Sequence, residues 1–327
     1  MDVRLLTPDA VEQHPVEDLK ALLDRDDGLV WVDIPRCDEQ AATVLSEVFG
    51  FHPLAVRDSV ERNRVPKVHV YGDHVFVVLH APELGKAGHV HYVELDQFIG
   101  PRYLVTVHGP LNPAVDPRAA LRETESVLRR LDTGRLRPAT SFDLSYAIVS
   151  ALARHQEAFI EVQTRAVWQL EQRVTGGHFG NPEKFLEEMF QARHGLIAVR
   201  TMGALSRETY GRLTTLGRAV PAEARPLLDD IVDQFSRVYG IADGQKDYLQ
   251  GVIEFYRTRS DTKMTIAAER LAVIAVITLP ITALSSVYGM NIIVNDHTDF
   301  PHLAAVVTVM VVMSATLLTW AKRQGWW

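Results

Sequence analysis

Thr265, Ala268, Ala272, Ala275, Leu279, Thr282 and Ser286 recur at steps of three and four through a segment whose other positions are mostly Ile, Val and Leu. On a helix that spacing collects them on one stripe, small or hydroxylated. Two readings of such a stripe compete. It lets neighbouring membrane helices pack closely, or, repeated around a ring of helices, it lines a narrow pore. Other side chains capable of chemistry are sparse. His89 and His91 fall on one face of an expected strand, as two metal ligands could, or as ordinary exposed hairpin histidines. Asp229, Asp230 and Asp233 form an acidic helix face that solvation alone can explain. Cys37 is the only cysteine, so no intrachain disulfide forms, and a lone buried thiol is ordinary packing. The chain has no GxxxxGK phosphate loop and no nucleophile clustered with a base, which argues against an enzyme.

Bulk properties narrow the class further. A chain of 327 residues, 47% of them apolar, is long enough for one or two buried cores. Its formal charge of -7 argues against nucleic acid, whose phosphates require a basic surface. Asp2, Arg4, Asp9, Glu12, Glu17, Asp18 and Lys20 interrupt the first thirty residues, unlike a secretory signal, so the N-terminus is expected to remain in the cytosol.

The stripe lies in one of two uncharged runs, LAVIAVITLPITALSSV from Leu271 to Val287 and LAAVVTVMVVMSATLLTW from Leu303 to Trp320. About 20 helical residues cross a hydrocarbon core of about 30 Å, so both read as membrane spans. Trp320, Trp326 and Trp327 cluster at one end, as interfacial anchors do. Pro280 should kink the first span and free a carbonyl for a neighbouring helix. Arg270 precedes the first span and Lys322 and Arg323 follow the second, whereas the connecting stretch has no Lys or Arg. The positive-inside rule then puts both termini in the cytosol.

Positioning the spans falls to the residues before them. LVWVDI, VHVYGDHVFVVLHAP, GHVHYVELDQFIG and RYLVTVHG between Leu29 and Gly109 read as a mostly antiparallel sheet, with helices over Pro15 to Arg25, Asp38 to Phe49 and Pro117 to Leu131. From Ser141 the period changes to that of a long amphipathic helix. Gly176-Gly177 and Asn181-Pro182 end it and start an antiparallel second helix through about Leu213. After Pro226 no breaker occurs until Pro280, so one helix of roughly 100 Å is expected to run from Ala222 into the first span. Leu228, Ile231, Phe235, Val238, Ala242, Leu249, Val252 and Tyr256 form a seam on it that needs helix partners. No partner long enough is expected within the chain, which favours an oligomer. Gly240, Gly244 and Gly251 weaken the helix by about 1 kcal/mol each relative to alanine.

Tyr288, Gly289, Met290 and Asn291 stand immediately after the first span, one short loop before the second, and Pro280 and Thr282 form a Pro-x-Thr within it. In this placement the chain resembles the CorA family of divalent-cation transporters. WVDIP from Trp31, the segment from His52 to Leu79 and the closing KRQGWW are similar to the family's segments at those places. The likeness spans nearly the whole chain and is least distinctive between about Leu111 and Pro221.

The resemblance implies an α+β protein of the cell's inner or plasma membrane. Its expected parts are a cytosolic αβα sheet domain (1–135), long antiparallel helices (136–220), a stalk helix (221–266), a first span (267–290), an outer loop (291–302), a second span (303–321) and a cytosolic tail (322–327). It implies a homo-pentamer passing divalent cations, Mg²⁺ first and Co²⁺ among them, through a pore lined by Thr265, Ala268, Leu271, Ala272, Ala275, Leu279, Thr282 and Ser286. Leu271 and Leu279 would constrict it by dewetting. Tyr288, Gly289, Met290 and Asn291 would form the mouth. Mg²⁺ sheds water reluctantly, and a ring of Asn291 carboxamides would bind the hydrated ion without trapping it. The resemblance also implies regulation by cytosolic Mg²⁺ at Asp230, with Asp96 or Glu94 of the sheet domain as partner. Where the family has a Met-Pro-Glu-Leu loop this chain has Asn295, Asp296, His297 and Thr298, so Asp296 and Asp299 are the candidate outer attractors. His297 and His302 leave a softer metal open. The alternatives are a Zn²⁺, Co²⁺ or Ni²⁺ transporter of the same family and a membrane-anchored sensor without a pore.

Overall fold

The computed structural model describes the chain except residues 111, 178–179, 217–219, 290–299 and 324–327, and gives the backbone alone for Ala87 and Tyr288. By internal contacts it divides into two compact units, Met1–Val252 and Ile253–Trp327.

A mixed seven-stranded sheet is the centre of the larger unit. Its strands are β1 (Asp2–Leu6), β2 (Val11–His14), β3 (Leu29–Ile34), β4 (Lys67–Tyr71), β5 (His74–Leu84), β6 (Val90–Ile99) and β7 (Tyr103–His108), in the order β2-β1-β3-β7-β6-β5-β4. Every neighbouring pair is antiparallel except β3 and β7, which run parallel with Trp31 opposite Leu104. β1 and β2 were not expected, and they extend the sheet beyond β3. All six residues of β3 are buried, as befits a strand covered on both faces.

Alternation along the strands sends side chains to two cores. On one face Val30, Val32, Val78, Phe98 and Val105 pack against helices α1 (Leu19–Leu23), α2 (Glu39–Thr43) and α3 (Pro53–Val60) through Leu19, Leu22, Ala41 and Ala55, and against Leu45 and Phe51 from the stretch between α2 and α3. On the other face Trp31, Leu79, Leu95 and Leu104 share a core with Val127, Leu131, Leu144, Ile148, Tyr210 and Phe235. Those residues come from α5 (Arg122–Asp132), which follows the short α4 (Pro117–Ala120), and from α6 (Ser141–Gly176), α7 (Pro182–Thr215) and α8 (Arg225–Gly289). The unit is therefore layered helix, sheet, helix.

Local chemistry sets the ends of the long helices. The Thr140 hydroxyl accepts from the Asp143 backbone N–H at 3.1 Å while the Asp143 carboxylate accepts from the Thr140 N–H at 2.8 Å, a reciprocal cap that starts α6. Gly177 closes it with φ of 74°, a left-handed geometry in which a Cβ would clash. Asn181 caps α7 and Pro182 opens it.

The seam on α8 is covered within the chain, contrary to expectation. Leu228, Ile231, Phe235, Val238, Ala242, Leu249 and Val252 are all buried. α6 supplies Tyr146 and Ser150 against Asp230 and Gln234, and α7 supplies Tyr210 against Phe235 and Arg200 against Asp243. The period correctly marked a buried face, but the partners are the chain's own antiparallel helices, so the seam is no argument for further copies.

The smaller unit holds the end of α8, with Pro280 inside it, and α9 (Phe300–Arg323). Both apolar stretches are almost wholly uncovered in the single chain, the reverse of a soluble protein's core helices.

Candidate ion pathway and regulatory carboxylates

From Leu271 on, the positions of α8 that are buried or partly covered are Val273, Ala275, Val276, Ile277, Pro280, Ile281 and Leu284, and those of α9 are Val306, Met310, Met313, Ser314, Leu317 and Ala321. Apart from Ala275, each set falls on one side of its helix at three- and four-residue spacing, as a face covered by a neighbour does. At 100° per residue the stripe of Thr265, Ala268, Ala272, Leu279, Thr282 and Ser286 projects from the other side of α8. All six are exposed, Leu279 at 67% and the neighbouring Leu271 at 66%, and only Ala275 is partly covered. A polar-to-small face left bare beside an occupied one is arranged to meet something outside the chain. Gly289 ends α8 with nothing within 4 Å of where a Cβ would stand. Met290, Asn291, Asp296 and Asp299 lie outside the described residues, as does the side chain of Tyr288.

Asp230 lies on an exposed face of the larger unit. Its Oδ2 accepts from the Tyr146 hydroxyl at 2.8 Å and from Gln234 Nε2 at 2.6 Å, and these two bonds hold its carboxyl below the usual aspartate range. Oδ1 has no partner among the described residues. One fixed, ionised carboxylate with a free oxygen is a hard donor of the kind Mg²⁺ takes. A complete site needs more ligands, and the described residues contain no group of three His, Cys, Asp or Glu that could hold a metal ion. The remaining ligands must be water or another molecule.

Asp96 is not available as that partner. On β6 it points into the core with Phe98, whereas α8 packs on the opposite face of the sheet, and Asp96 is 0% exposed. Burial, then the neighbouring Glu94 carboxyl, pushes Asp96 well above the usual range. Neither of its oxygens is in a formed hydrogen bond, although Ser59 and Glu94 adjoin it. The Ser59 proton goes to its own helix at Ala55 O, 3.3 Å away. Glu94, also buried, is occupied by Asn63, whose backbone N–H donates at 2.8 Å and whose Nδ2 donates at 2.5 Å. A wholly buried carboxyl cannot reach a neighbouring subunit.

His89 and His91 do not make a metal site: His91 Nδ1 sits 3.1 Å from Asn112 Nδ2 and His89 packs edge-on against His194. Cys37 is partly exposed rather than buried, and burial together with Asp96 and Asp38 pushes its thiol up to about 11, so it stays protonated and inert. The contacts of Tyr146 with Asp230 and of Ser150 with Gln234 were missed from the sequence. Their signal was the spacing of Asp230, Gln234 and Arg237, one polar helix face beside the apolar seam.

A layered sheet domain bearing long helices, one of which continues into the first of two uncovered apolar helices, is the architecture of a two-span membrane protein. The chain belongs to the CorA-like Mg²⁺ transporter family, whose model matches residues 26–323. It is therefore a divalent-cation transporter of the membrane and not an enzyme by family. It is 25% identical over 304 residues to a putative metal ion transporter, YfjQ, of Bacillus subtilis, covering 90% of this chain and 89% of that protein. The cobalt/magnesium transport protein CorA of Thermotoga maritima is 24% identical, over 86% of this chain and 78% of its own. In fold, the chain superposes on the CorA magnesium transporter of Methanocaldococcus jannaschii with a TM-score of 0.81 at 15% identity, covering 100% and 99% of the two chains.

Proposed function

We propose that the chain forms a homo-pentameric pore that passes hydrated Mg²⁺, with both termini and the sheet domain in the cytosol. The observation that carries this reading is the stripe from Thr265 to Ser286, bare except at Ala275 and turned away from the partly covered positions Val273, Val276, Ile277, Pro280 and Leu284. A ring of five such helices gives each stripe the same aqueous axis, where hydroxyls and small side chains leave room for an ion with its water. Leu271 and Leu279, the large apolar members of that face, form the constriction that dewets when the ring tightens. Tyr288, Gly289, Met290 and Asn291 form the mouth, Asn291 carboxamides bind the hydrated ion, and Asp296 and Asp299 raise its local concentration. Cytosolic Mg²⁺ at Asp230 holds the pore closed, with its remaining ligands from water and a neighbouring copy.

Co²⁺ is a second cargo, supported by the cobalt/magnesium relative and by His297 in the outer loop. The test is ion flux in liposomes carrying the full-length protein, with Mg²⁺, Co²⁺ and Zn²⁺ supplied in turn. Wild type should pass Mg²⁺, and Asn291→Ala should lose at least tenfold of that flux while assembling normally. Unaltered flux in Asn291→Ala would remove the mouth, and flux of Zn²⁺ alone would replace the cargo.

A further inference from the structure

We propose that a cleft between α5, α6 and α8 binds a polyphosphate group. The cleft has a volume of about 360 Å³, within the range of small-molecule sites, and lies wholly in the larger unit. One face of α6 and one face of α8 meet along it as a polar ladder. Tyr146 donates to Asp230 at 2.8 Å, Gln234 donates to Ser150 Oγ at 3.0 Å, and Glu157 lies 4.0 Å from Arg237. Arg154, between Ser150 and Glu157, has no rung. Arg130, in the last turn of α5, lines the same cleft. Among the described residues neither of these guanidinium groups makes an ion pair or a side-chain hydrogen bond.

Three arginines from three helices thus face one cleft, with Glu157 at the outer limit of an ion pair to Arg237 and Asp230 held behind Tyr146 and Gln234. Like charges so gathered repel one another unless a counter-ion joins them. The floor is built rather than fluid: Ser150 is 4% and Gln234 9% exposed, and Ser150 accepts from Gln234 while adjoining the Tyr146 hydroxyl. The cations lining the cleft are all arginine, whose planar fork pairs two N–H groups with two oxygens of one phosphate. A linear polyphosphate presents several such oxygen pairs to guanidiniums on separate helices. A carboxylate presents one.

Calorimetric titration of the full-length protein in detergent, with metal removed by chelation, tests this with inorganic triphosphate, ATP and orthophosphate as separate probes. Triphosphate should bind saturably, one per chain and at least tenfold more tightly than orthophosphate. Arg154→Gln and Arg130→Gln should each weaken it about tenfold without changing the thermal melt. Arg129→Gln, on the same helix but paired with Glu125 at 3.8 Å, should leave it within twofold. ATP binding tenfold more tightly than triphosphate identifies a nucleotide as the source, and equal affinity identifies the phosphate chain alone. The proposal is overturned by absence of saturable binding, by equal weakening in Arg129→Gln, or by Arg154→Gln altering the native mass instead of anion affinity, which would assign the arginines to contact between copies.

Discussion

Asp96 carries a cost that the rest of the sheet has to offset. Its carboxyl is buried without a formed hydrogen bond and adjoins a second buried carboxyl, so the proton stays on in the folded chain at a pH where the unfolded chain has lost it. The sign follows directly. Below the ordinary aspartate value of 3.8 both states are protonated, and the side chain is no burden. As pH rises from there toward the raised folded value, the unfolded chain alone releases its proton and stability falls. Asp96→Asn keeps the shape and has no proton to lose. Melts from pH 4 upward should therefore show the variant gaining on wild type as pH rises, and a gap independent of pH would mean that Asp96 is ionised in the fold. The same burial makes Glu94 a structural acceptor for Asn63 rather than a ligand.

At the scale of elements, two glycines separate close packing from mere helix weakness. A Cβ on Gly203 of α7 would stand 2.9 Å from Val238 Cγ1 and 3.2 Å from the Tyr239 backbone nitrogen, both fixed on α8. Gly203→Ala should cost about 1–3 kcal/mol by overpacking. Gly240 has nothing within 4 Å, so Gly240→Ala should stabilise by about 0.5–1 kcal/mol through propensity alone. Thermal melts in detergent read both, and a destabilised Gly240→Ala would show that another copy covers that face. The helix that carries these contacts also carries the proposed gate. If Mg²⁺ joins copies at Asp230, its loss leaves clustered carboxylates that repel, and the stalk loosens. Wild type should then be cut faster along α8 by protease when Mg²⁺ is removed, whereas Asp230→Lys should resist cleavage without it. Equal Mg²⁺ dependence in the two proteins would place regulation elsewhere. Strands β3 to β7 and helices α6 to α8 were legible because their apolar periods are long and their breakers are sharp. β1 was not: Asp2-Val3-Arg4-Leu5-Leu6 is short and carries two charges in five residues, and pairing with β3 makes it a strand. The burial of Asp96 was hidden because β6 is covered on both faces, so alternation there carries no contrast. The covering of the α8 seam was misjudged because a period reports that a face is buried and not what buries it.

For the whole molecule, the case for several copies rests on the membrane segment, where the face from Thr265 to Ser286 is exposed at every stripe position but Ala275 while the opposite one is partly covered. Native mass measurement in detergent should give five copies per particle, and a stable monomer would end the pore reading. The order of elements along the chain has a consequence during synthesis. The last sheet strand ends at His108, and the final stretch of α8 needed by the larger unit's core, Leu249 and Val252, precedes the apolar run at Leu271 by fewer than 25 residues. A ribosome adding about 5–20 residues per second makes the roughly 160 residues from the last strand to the first span in on the order of ten to thirty seconds. The sheet can therefore close well before any hydrophobic span appears, whereas the helical layer on it is completed only as that span is being made. Whatever inserts the spans then receives a chain already bearing a folded load too bulky to thread, which is the order of events that the proposed topology, with the larger unit on the side of translation, requires.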